Sequence, residues 1–265
     1  MSLNYKGKEI KYIVSDLDGT LVFGEGHKLD DETYDLISRC VDNDVLFIIA
    51  SGRNVANEQT VLNPIKEKVS YIGNSGSVGV HKGKEIFSIG IDQKDAFQIY
   101  DVARTLPSCD VFISTSSGGY TDSKNQAFID HMLYDVRIEM KVVEDLKEIK
   151  DPIEKISAFD VDGNETMQKV FKKECKQFNA VSSGPQWVDF LVPDVNKGSA
   201  LKRFLKEVGL KAEDGIAFGD QDNDIEMLQV AGIGCCMKTG TENAKQAADF
   251  LVDTPKDVMK EMLSK

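Results

Sequence analysis

Short apolar runs alternate with amphipathic segments along most of the chain. Apolar runs typical of buried strands occur at residues 11–15, 45–50, 215–218 and 249–252. Between them, apolar positions recur with helical spacing over residues 31–43, 54–67, 198–208 and 222–230. Strands that alternate with helices form parallel sheets covered by helices. The pattern therefore predicts an α/β fold with a doubly wound parallel sheet.

The middle of the chain has its own set of predicted elements. Strands are predicted at residues 86–90, 111–115, 155–159 and 180–183, and helices at 93–105, 124–134 and 164–178. No long linker or repeat separates this part of the sequence from its neighbours. We expect a core domain in two segments, residues 1–81 and 186–265, with an α/β domain of residues 82–185 inserted between them. The alternating run Trp187–Leu191 is expected to be a core strand.

The composition restricts the class of partner. The 265 residues include 44 acidic and 32 basic side chains, which gives a net charge of −12 and argues against a nucleic-acid partner. No apolar stretch approaches the roughly 20 residues of a membrane-spanning helix, and the N-terminus lacks the apolar core of a signal peptide. The five cysteines form no CxxC pair, which favours a reducing compartment. We expect a cytoplasmic protein without a membrane partner.

Polar turns follow three of the predicted core elements, and a fourth polar segment opens a helix. These segments supply the candidate site residues: Asp16, Asp18, Ser51, Gly52, Lys197, Asp220, Asn223 and Asp224. Loops at the carboxyl ends of parallel strands gather at one edge of the sheet. Carboxylates from two such loops suit Mg²⁺, whereas a hydroxyl, free amides at a helix start and a lysine suit a phosphate. Each motif alone is as compatible with an ordinary turn, so the hypothesis depends on the whole set.

The set fits phosphoryl transfer through an aspartyl-phosphate. In this interpretation Asp16 attacks phosphorus, while Asp18 protonates the leaving alcohol and then activates the water that hydrolyses the intermediate. Neighbouring like charges at 5 Å repel by roughly 3 kcal/mol per pair at an effective dielectric near 20. Mg²⁺ and Lys197 are therefore needed to balance the carboxylates and a phosphate dianion. The sequence predicts a Mg²⁺-dependent site for a small phosphorylated substrate.

The segments DLDGT, ASGR, NKGSAL and GDQDNDIEML, in this order and spacing, resemble the four signature motifs of the haloacid dehalogenase superfamily. The Cof-type sugar-phosphate phosphatases are the most similar subgroup. The resemblance implies a Rossmann-like core, an α/β cap inserted after the second motif, and a phosphoric monoester hydrolase active on sugar phosphates.

The same resemblance implies roles for single residues. Asp16 would be the nucleophile and a metal ligand, and Asp18 the acid/base that also binds the metal through its carbonyl oxygen. Asp220 would be a further metal ligand, with Asp224 either binding the metal or supporting it. The phosphate or substrate would be held by Ser51, Gly52, Lys197 and Asn223.

One segment of the middle part imitates the first two motifs. Asp160-Val161-Asp162-Gly163 is followed at a distance by Ser183-Gly184, but Asn164 replaces the threonine and Pro185 replaces the arginine. We expect the Asp162-Gly163-Asn164 run to be the turn and N-cap of the following helix.

Two further interpretations concern charged side chains near the motifs. The GDQDND run imitates a calcium-binding EF-hand loop, yet Ile225 and Ala231 stand where glycine and glutamate are required. Asp222 is therefore expected to be a solvated loop acid. Arg53 either belongs to the site or pairs with a core carboxylate.

Two other functions use similar residues. A phosphosugar mutase forms the same aspartyl-phosphate but returns the phosphoryl group to its substrate. A receiver-type signalling module also gathers Asp, Lys and Mg²⁺ on a parallel sheet, but it lacks an acid two residues after the phosphorylated Asp. Specificity is expected to reside in the inserted domain, with residues 115–120 and the segments around His131 and Arg137 as candidates.

Overall fold

The chain divides into two compact units. The first comprises Met1–Phe87 and Asn196–Lys265, and the second comprises Ser88–Val195. The computed structural model describes residues 2–23, 28–115, 118–136, 138, 140–182 and 185–264. His27, Arg137 and the Ser183-Gly184 pair, which the sequence singled out, lie outside the described residues. None of the helices in these described ranges is long and apolar enough to cross a membrane.

The first unit is built on a mostly parallel sheet. In spatial order its described strands are Phe250–Val252, Ile233–Met237, Gly215–Gly219, Tyr12–Ser15, Leu46–Ala50, Ser70–Gly73, Val78–His81 and Lys84–Ser88. All pairs from the Phe250–Val252 edge to Ser70–Gly73 are parallel, and Val78–His81 then pairs antiparallel. The strand order reverses its direction of travel next to Tyr12–Ser15, as in doubly wound sheets.

Helices lie on both faces of this sheet because its strands are apolar on both faces. Within Tyr12–Ser15, Ile13 packs in one apolar cluster with Leu36, whereas Val14 packs in another with Leu201. Alternate side chains of a strand point to opposite faces, so the sheet is buried on both sides. The α-helices of this unit are Asp31–Asp42, Val55–Val61, Lys197–Val208, Ile225–Val230, Glu242–Ala247 and Pro255–Leu263. The predicted Rossmann-like α/β fold class is confirmed.

Smaller elements complete the first unit. Leu3–Tyr5 and Lys8–Ile10 form an antiparallel hairpin. The 3₁₀ turns are Asn63–Ile65, Asn74–Gly76, Ala212–Asp214 and Asp222–Asp224.

In the first unit, two predicted helices are markedly shorter than the periodicity suggested. The helix predicted over residues 54–67 ends at Val61, and Pro64 lies in the separate 3₁₀ turn Asn63–Ile65. Proline has no N–H to donate, so it cannot continue the hydrogen-bond ladder of the preceding helix. The helix predicted over residues 222–230 begins only at Ile225, after a 3₁₀ turn.

The second unit has a sheet of its own. In spatial order its described strands are Met140–Val142, Gly118–Thr121, Asp110–Thr115, Ile153–Phe159, Trp187–Leu191 and Asn179–Ser182. Its helical segments are Gln93–Ala103, Gln126–Asp130, the π-helical turn His131–Asp135, the 3₁₀ turn Leu146–Glu148 and Glu165–Glu174.

The unit boundaries differ from those expected from the sequence. The strand Trp187–Leu191, expected in the core, pairs antiparallel with Ile153–Phe159 and with Asn179–Ser182. It therefore belongs to the sheet of the second unit, which extends to Val195. The apolar alternation of this strand is real, but a period of two does not say which sheet the strand joins.

The segment that imitates the first motif is a hydrogen-bonded turn. The Asp160 carboxylate accepts from the Asp162 backbone N–H at 3.0 Å and from Ser108 Oγ at 2.6 Å. Asn164 precedes the helix Glu165–Glu174, as predicted, but its side chain does not cap that helix. Instead Asn164 Nδ2 donates to Ser182 Oγ at 2.9 Å and to the Trp187 carbonyl at 3.0 Å. These partners tie the turn into its own sheet.

Candidate active site

Three neighbouring strands of the first unit end at the same edge of the sheet. Gly215–Gly219, Tyr12–Ser15 and Leu46–Ala50 lie side by side and run parallel, and the next residues are Asp220, Asp16 and Ser51. The backbone N–H of Asp16 continues the ladder by donating to the Phe218 carbonyl at 2.9 Å. The strand register therefore brings the predicted polar turns together.

Lys197 joins two of the predicted acids. Its Nζ donates to Asp16 Oδ1 and to Asp224 Oδ1, each at 2.6 Å. Lys197 and Asp224 are 1% and 0% exposed, so these are charge-assisted bonds out of contact with solvent. Asn196 begins the helix with a capping box in which its side chain and Ser199 bond each other's backbone, and this fixes the position of Lys197 at the helix start.

Asp224 also organises the loop that precedes it. Its second oxygen, Oδ2, accepts from the backbone N–H groups of Asp220 and Gln221 at 2.9 and 3.0 Å. Both oxygens of Asp224 are therefore engaged with groups of the protein. This arrangement makes Asp224 a support that shapes the loop and orients Lys197.

Asp220 is oriented by two side-chain donors. Thr20 Oγ1 donates to its Oδ1 at 2.8 Å, and Gln221 Nε2 donates to its Oδ2 at 2.6 Å. Gly19 allows this approach, because a Cβ at that position would lie 2.5 Å from Asp220 Oδ2 and the backbone has a φ of +84°. Glycine is the residue that adopts such a conformation without strain.

The buried acids form a set that fits a divalent cation. Asp16, Asp220 and Asp224 each offer a carboxylate oxygen, and these oxygens lie within 4.8 Å of one another. Clustered carboxylate oxygens are the donors that Mg²⁺ prefers. Within the described residues of the chain, this is where a hard metal ion would be held.

Burial dominates the electrostatics of the cluster. Burial raises the pKa of Asp16 to about 8, against the opposing effect of Lys197. Burial also raises the pKa of Asp220, although Gln221 and Thr20 hydrogen bonds oppose it. For Lys197, burial lowers the pKa, but Asp16 and Asp224 outweigh it and the net pKa lies above the ordinary value. Lys197 therefore stays protonated. Ionised Asp16 and Asp220, which burial disfavours, would be stabilised by additional positive charge.

Asp18 and Arg53 form a separate ion pair at the same edge. Arg53 Nε donates to Asp18 Oδ2 at 2.8 Å, and Arg53 Nη2 donates to Asp18 Oδ1 at 2.6 Å. The side chain of Asp18 is 52% exposed, in contrast to the buried cluster. Ser51 is buried and its Oγ accepts from the Arg53 backbone N–H at 3.1 Å. Arg53 therefore pairs with a carboxylate, but its partner is the exposed candidate site residue Asp18 and not a carboxylate of the core.

The other predicted residues lie in the same loops. Gly52 is half-buried between Ser51 and Arg53, and Asn223 is exposed in the 3₁₀ turn Asp222–Asp224. Asp222 is exposed, as expected for a loop acid, but its carboxylate is engaged. It accepts from Thr241 Oγ1 at 2.6 Å and from Asn243 Nδ2 at 3.0 Å.

The sequence interpretation did not include Thr20, Gln221 or Glu58 among the candidate site residues, although Thr20 belongs to the DLDGT motif. The first two contact Asp220 directly. Glu58 is 0% exposed, on the inward face of the helix Val55–Val61. A signal for it existed, because Glu58 stands at an apolar position of the helical period, three residues after Val55 and three before Val61.

Comparison with known proteins gives a consistent result. The model of a family described as haloacid dehalogenase-like hydrolases matches residues 13–261. The 5-amino-6-(5-phospho-D-ribitylamino)uracil phosphatase YcsE of Bacillus subtilis is 24% identical over 256 residues, covering 96% of this chain and 94% of YcsE. YbjI of Escherichia coli, named for the same activity, is 23% identical over 246 residues, covering 91% of this chain and 90% of YbjI.

A solved structure agrees with the fold. A crystal structure from Eubacterium rectale superposes with a TM-score of 0.86 at 27% identity, covering 96% of this chain and 98% of that one. The resemblance that the four motifs indicated is confirmed.

Proposed function

The chain belongs to the haloacid dehalogenase-like hydrolases, and from this premise we propose that it is a Mg²⁺-dependent phosphatase of small phosphorylated metabolites, with sugar phosphates as the substrate class. The observation that carries the proposal is the buried contact of Lys197 with both Asp16 and Asp224 at 2.6 Å. A buried lysine beside a candidate nucleophile is suited to hold the substrate's phosphoryl oxygens.

In the proposed reaction Asp16 is the nucleophile. One Asp16 oxygen is held by Lys197, which leaves the other oxygen to attack phosphorus and form an aspartyl-phosphate. Lys197, Ser51, the Gly52 backbone and Asn223 would hold the phosphoryl oxygens or the substrate. The P–O bond to the leaving group breaks as the new bond to Asp16 forms.

Asp18 is the proposed acid and base. It would donate a proton to the leaving alkoxide and later accept one from the water that hydrolyses the aspartyl-phosphate. Both Asp18 oxygens accept a hydrogen bond from Arg53, and each keeps a second lone pair that can take the proton. The exposure of Asp18 leaves room for that exchange.

The proposed metal is Mg²⁺. Asp16, Asp220 and the backbone carbonyl of Asp18 would hold it, and Asp224 would bind it or support its ligands from the contacts described above. When bound, the ion would supply positive charge for the carboxylates and for the phosphoryl group. The clustering of three buried carboxylates supports this proposal.

The test is phosphate release from a panel of phosphate monoesters, with Mg²⁺ and with a chelator. The panel would include sugar phosphates, nucleotides and 5-amino-6-(5-phospho-D-ribitylamino)uracil, the compound named for two relatives. We expect Mg²⁺-dependent turnover that Asp16→Asn abolishes and that Asp160→Asn preserves, because Asp160 is tied into a structural turn.

Other outcomes would favour the alternatives. Transfer of the phosphoryl group back to the sugar would indicate a phosphosugar mutase. A long-lived phosphorylated Asp16 without turnover would indicate a receiver-type signalling module. Strong preference for a non-sugar ester would overturn the sugar-phosphate assignment while leaving the phosphatase chemistry intact.

A further inference from the structure

Glu58 is a buried acid with no part in the reaction proposed above. It is 0% exposed, and neither of its carboxyl oxygens makes a hydrogen bond with the described residues. Asn54 caps the helix Val55–Val61 and the Glu58 backbone N–H donates to the Asn54 carbonyl at 3.1 Å, so the residue is fixed in the first turns of the helix. An ionised carboxylate without a donor is costly to bury.

The charged and titratable groups that act on Glu58 belong to the active site and its sheet. Two of them are cations: Lys197, at the start of its helix, and Arg53, in the loop before the helix Val55–Val61. The others are Asp16, directly after the strand Tyr12–Ser15, and Tyr71, on the strand Ser70–Gly73. Burial raises the pKa of Glu58 well above its ordinary value, and Lys197 and Arg53 only partly offset this effect. The Ser51 backbone amide, which donates its hydrogen to the Ile72 carbonyl at 3.0 Å, has the smallest lowering effect on that pKa.

We propose that Glu58 is a positioning residue of the active site, held there as a neutral carboxylic acid so that the charges of Lys197 and Arg53 remain available to Asp16, Asp18 and an anionic substrate. An ionised Glu58 would add a negative charge beside the phosphate site and compete for these two cations. Its neutrality therefore favours the binding of a phosphate ester. This inference rests on the proposed phosphatase function.

The proposal has a consequence for stability that does not depend on activity. Above the ordinary pKa of glutamate, about 4.3, the unfolded chain releases the Glu58 proton while the folded chain keeps it. The unfolded state then binds fewer protons, so the contribution of Glu58 to folding becomes less favourable as the pH rises. Glutamine has the shape of the neutral acid and does not titrate.

The first experiment compares the wild type, Glu58→Gln and the control Glu67→Gln by urea unfolding as a function of pH. Glu67 is exposed in the same unit. We expect the midpoint of Glu58→Gln to rise relative to the wild type between about pH 5 and about pH 8, while the Glu67→Gln difference stays constant. A difference between Glu58→Gln and the wild type that does not change with pH would overturn the proposal.

The second experiment measures the Kd of inorganic phosphate by calorimetry in the presence of Mg²⁺. At about pH 6 we expect the wild type and Glu58→Gln to bind phosphate within about twofold of each other. At a pH high enough to ionise Glu58, the wild type should bind phosphate about tenfold more weakly than Glu58→Gln, since one added charge acts on the anion. The titration of phosphate itself cancels in the ratio. A folded Glu58→Gln protein that binds phosphate more than about tenfold more weakly at pH 6 would show that the ionised form is needed, and the proposal would be wrong.

The two experiments separate the inference from the proposed function. If the pH-dependent stability difference is present and neither protein binds phosphate or releases it from any ester, the neutral state of Glu58 is correct but the proposed function fails, and with it the role in substrate binding. If phosphate binds and its affinity ratio does not change even above the pH at which the stability difference levels off, the phosphatase function stands and the role of Glu58 is overturned.

Discussion

Arg53 holds the carboxylate of Asp18 through two parallel hydrogen bonds, of 2.8 Å to Oδ2 and 2.6 Å to Oδ1. This bidentate pair fixes the plane of the carboxylate as well as its position. The pair joins the loop after the strand Tyr12–Ser15 to the loop after the neighbouring strand Leu46–Ala50. It orients the proposed acid/base before substrate binds, and the first prediction tests that effect.

Replacement of Arg53 should lower kcat more than it raises KM. Arg53→Lys keeps the charge but cannot form the two parallel bonds, and we expect about a tenfold loss of kcat; Arg53→Met should lose about a hundredfold, because Asp18 is then no longer oriented. Steady-state phosphate release measures both constants. Unchanged kcat in both variants would show that Asp18 is oriented by other groups.

Replacement of Lys197 should affect both stability and activity. Lys197→Met leaves the buried carboxylates of Asp16 and Asp224 without their shared cation, and removal of one member of a buried ion pair costs about 3–5 kcal/mol in the free energy of unfolding. We also expect at least about a thousandfold loss of phosphate release. Urea unfolding and activity assays measure these effects.

Lys202→Met is the matched control for Lys197→Met, because Lys202 is exposed on the same helix. It should change stability by less than about 0.5 kcal/mol and leave activity unchanged. A Lys197→Met protein as stable and active as this control would contradict the shared-cation description.

Replacement of Gly19 should weaken the response to Mg²⁺. In Gly19→Ala the new Cβ would lie 2.5 Å from Asp220 Oδ2, so the carboxylate must move. We expect the Mg²⁺ concentration for half-maximal activity to rise at least about tenfold, as for other changes in the orientation of metal ligands. A magnesium titration of phosphate release measures this value.

Gly7→Ala controls for backbone strain in the Gly19 experiment. Gly7 has a similar φ of +80°, but a Cβ there would meet no atom within 4 Å. Both alanine variants should lose about 1–2 kcal/mol of stability from the left-handed backbone. Only Gly19→Ala should change the magnesium dependence of activity. An equal change in Gly7→Ala would show that the weaker magnesium response results from the loss of stability and not from the displaced Asp220 carboxylate.

The helix Asp31–Asp42 should be stabilised by its N-cap in a pH-dependent way. Asp30 accepts from the Thr33 backbone N–H at 2.8 Å and from Lys256 Nζ at 2.7 Å. The hydrogen bond from Lys256 lowers the pKa of Asp30 to about 2. The folded pKa is below the ordinary value of about 3.9, so this contribution is present above that pH and is lost as the pH falls towards about 2.

Two variants of Asp30 separate the cap from the charge. Asp30→Ala should cost about 1 kcal/mol in the free energy of unfolding, the usual value of an N-cap. Asp30→Asn should retain most of the cap but should not show the acid-dependent loss. Urea unfolding at neutral and acidic pH measures both effects, and identical pH profiles for wild type and Asp30→Asn would refute the contribution of the ion pair.

The sequence predicted most of the central sheet of the first unit because its signals are local. The apolar runs predicted at residues 11–15, 45–50 and 215–218 became the strands Tyr12–Ser15, Leu46–Ala50 and Gly215–Gly219. The helix predicted from residue 198 begins at Lys197. Periods of two and 3.6 residues are visible in any short window. The predicted helix boundaries were wrong where a residue such as Pro64 interrupts the helix although the apolar periodicity continues.

The polar turns were likewise identified from their order along the chain, but their contacts were not. Lys197 and Asp16 are 181 positions apart, and nothing in either segment specifies their 2.6 Å bond. Pairing of Arg53 with a core carboxylate was one of two open interpretations, and the observed partner, Asp18, was not specified. Such contacts depend on which strands become neighbours and how their ends align.

By itself, the sequence determined the α/β class, the family and the set of residues that could perform phosphoryl transfer, since periodicity and motif spacing are properties of the chain. Only the tertiary structure decided that Trp187–Leu191 joins the sheet of the second unit, that Asp224 has both oxygens engaged, and that Glu58 is buried without a hydrogen-bond partner among the described residues. The physical reason is that burial and hydrogen-bond partners depend on distances between segments far apart in the chain, which no local pattern records.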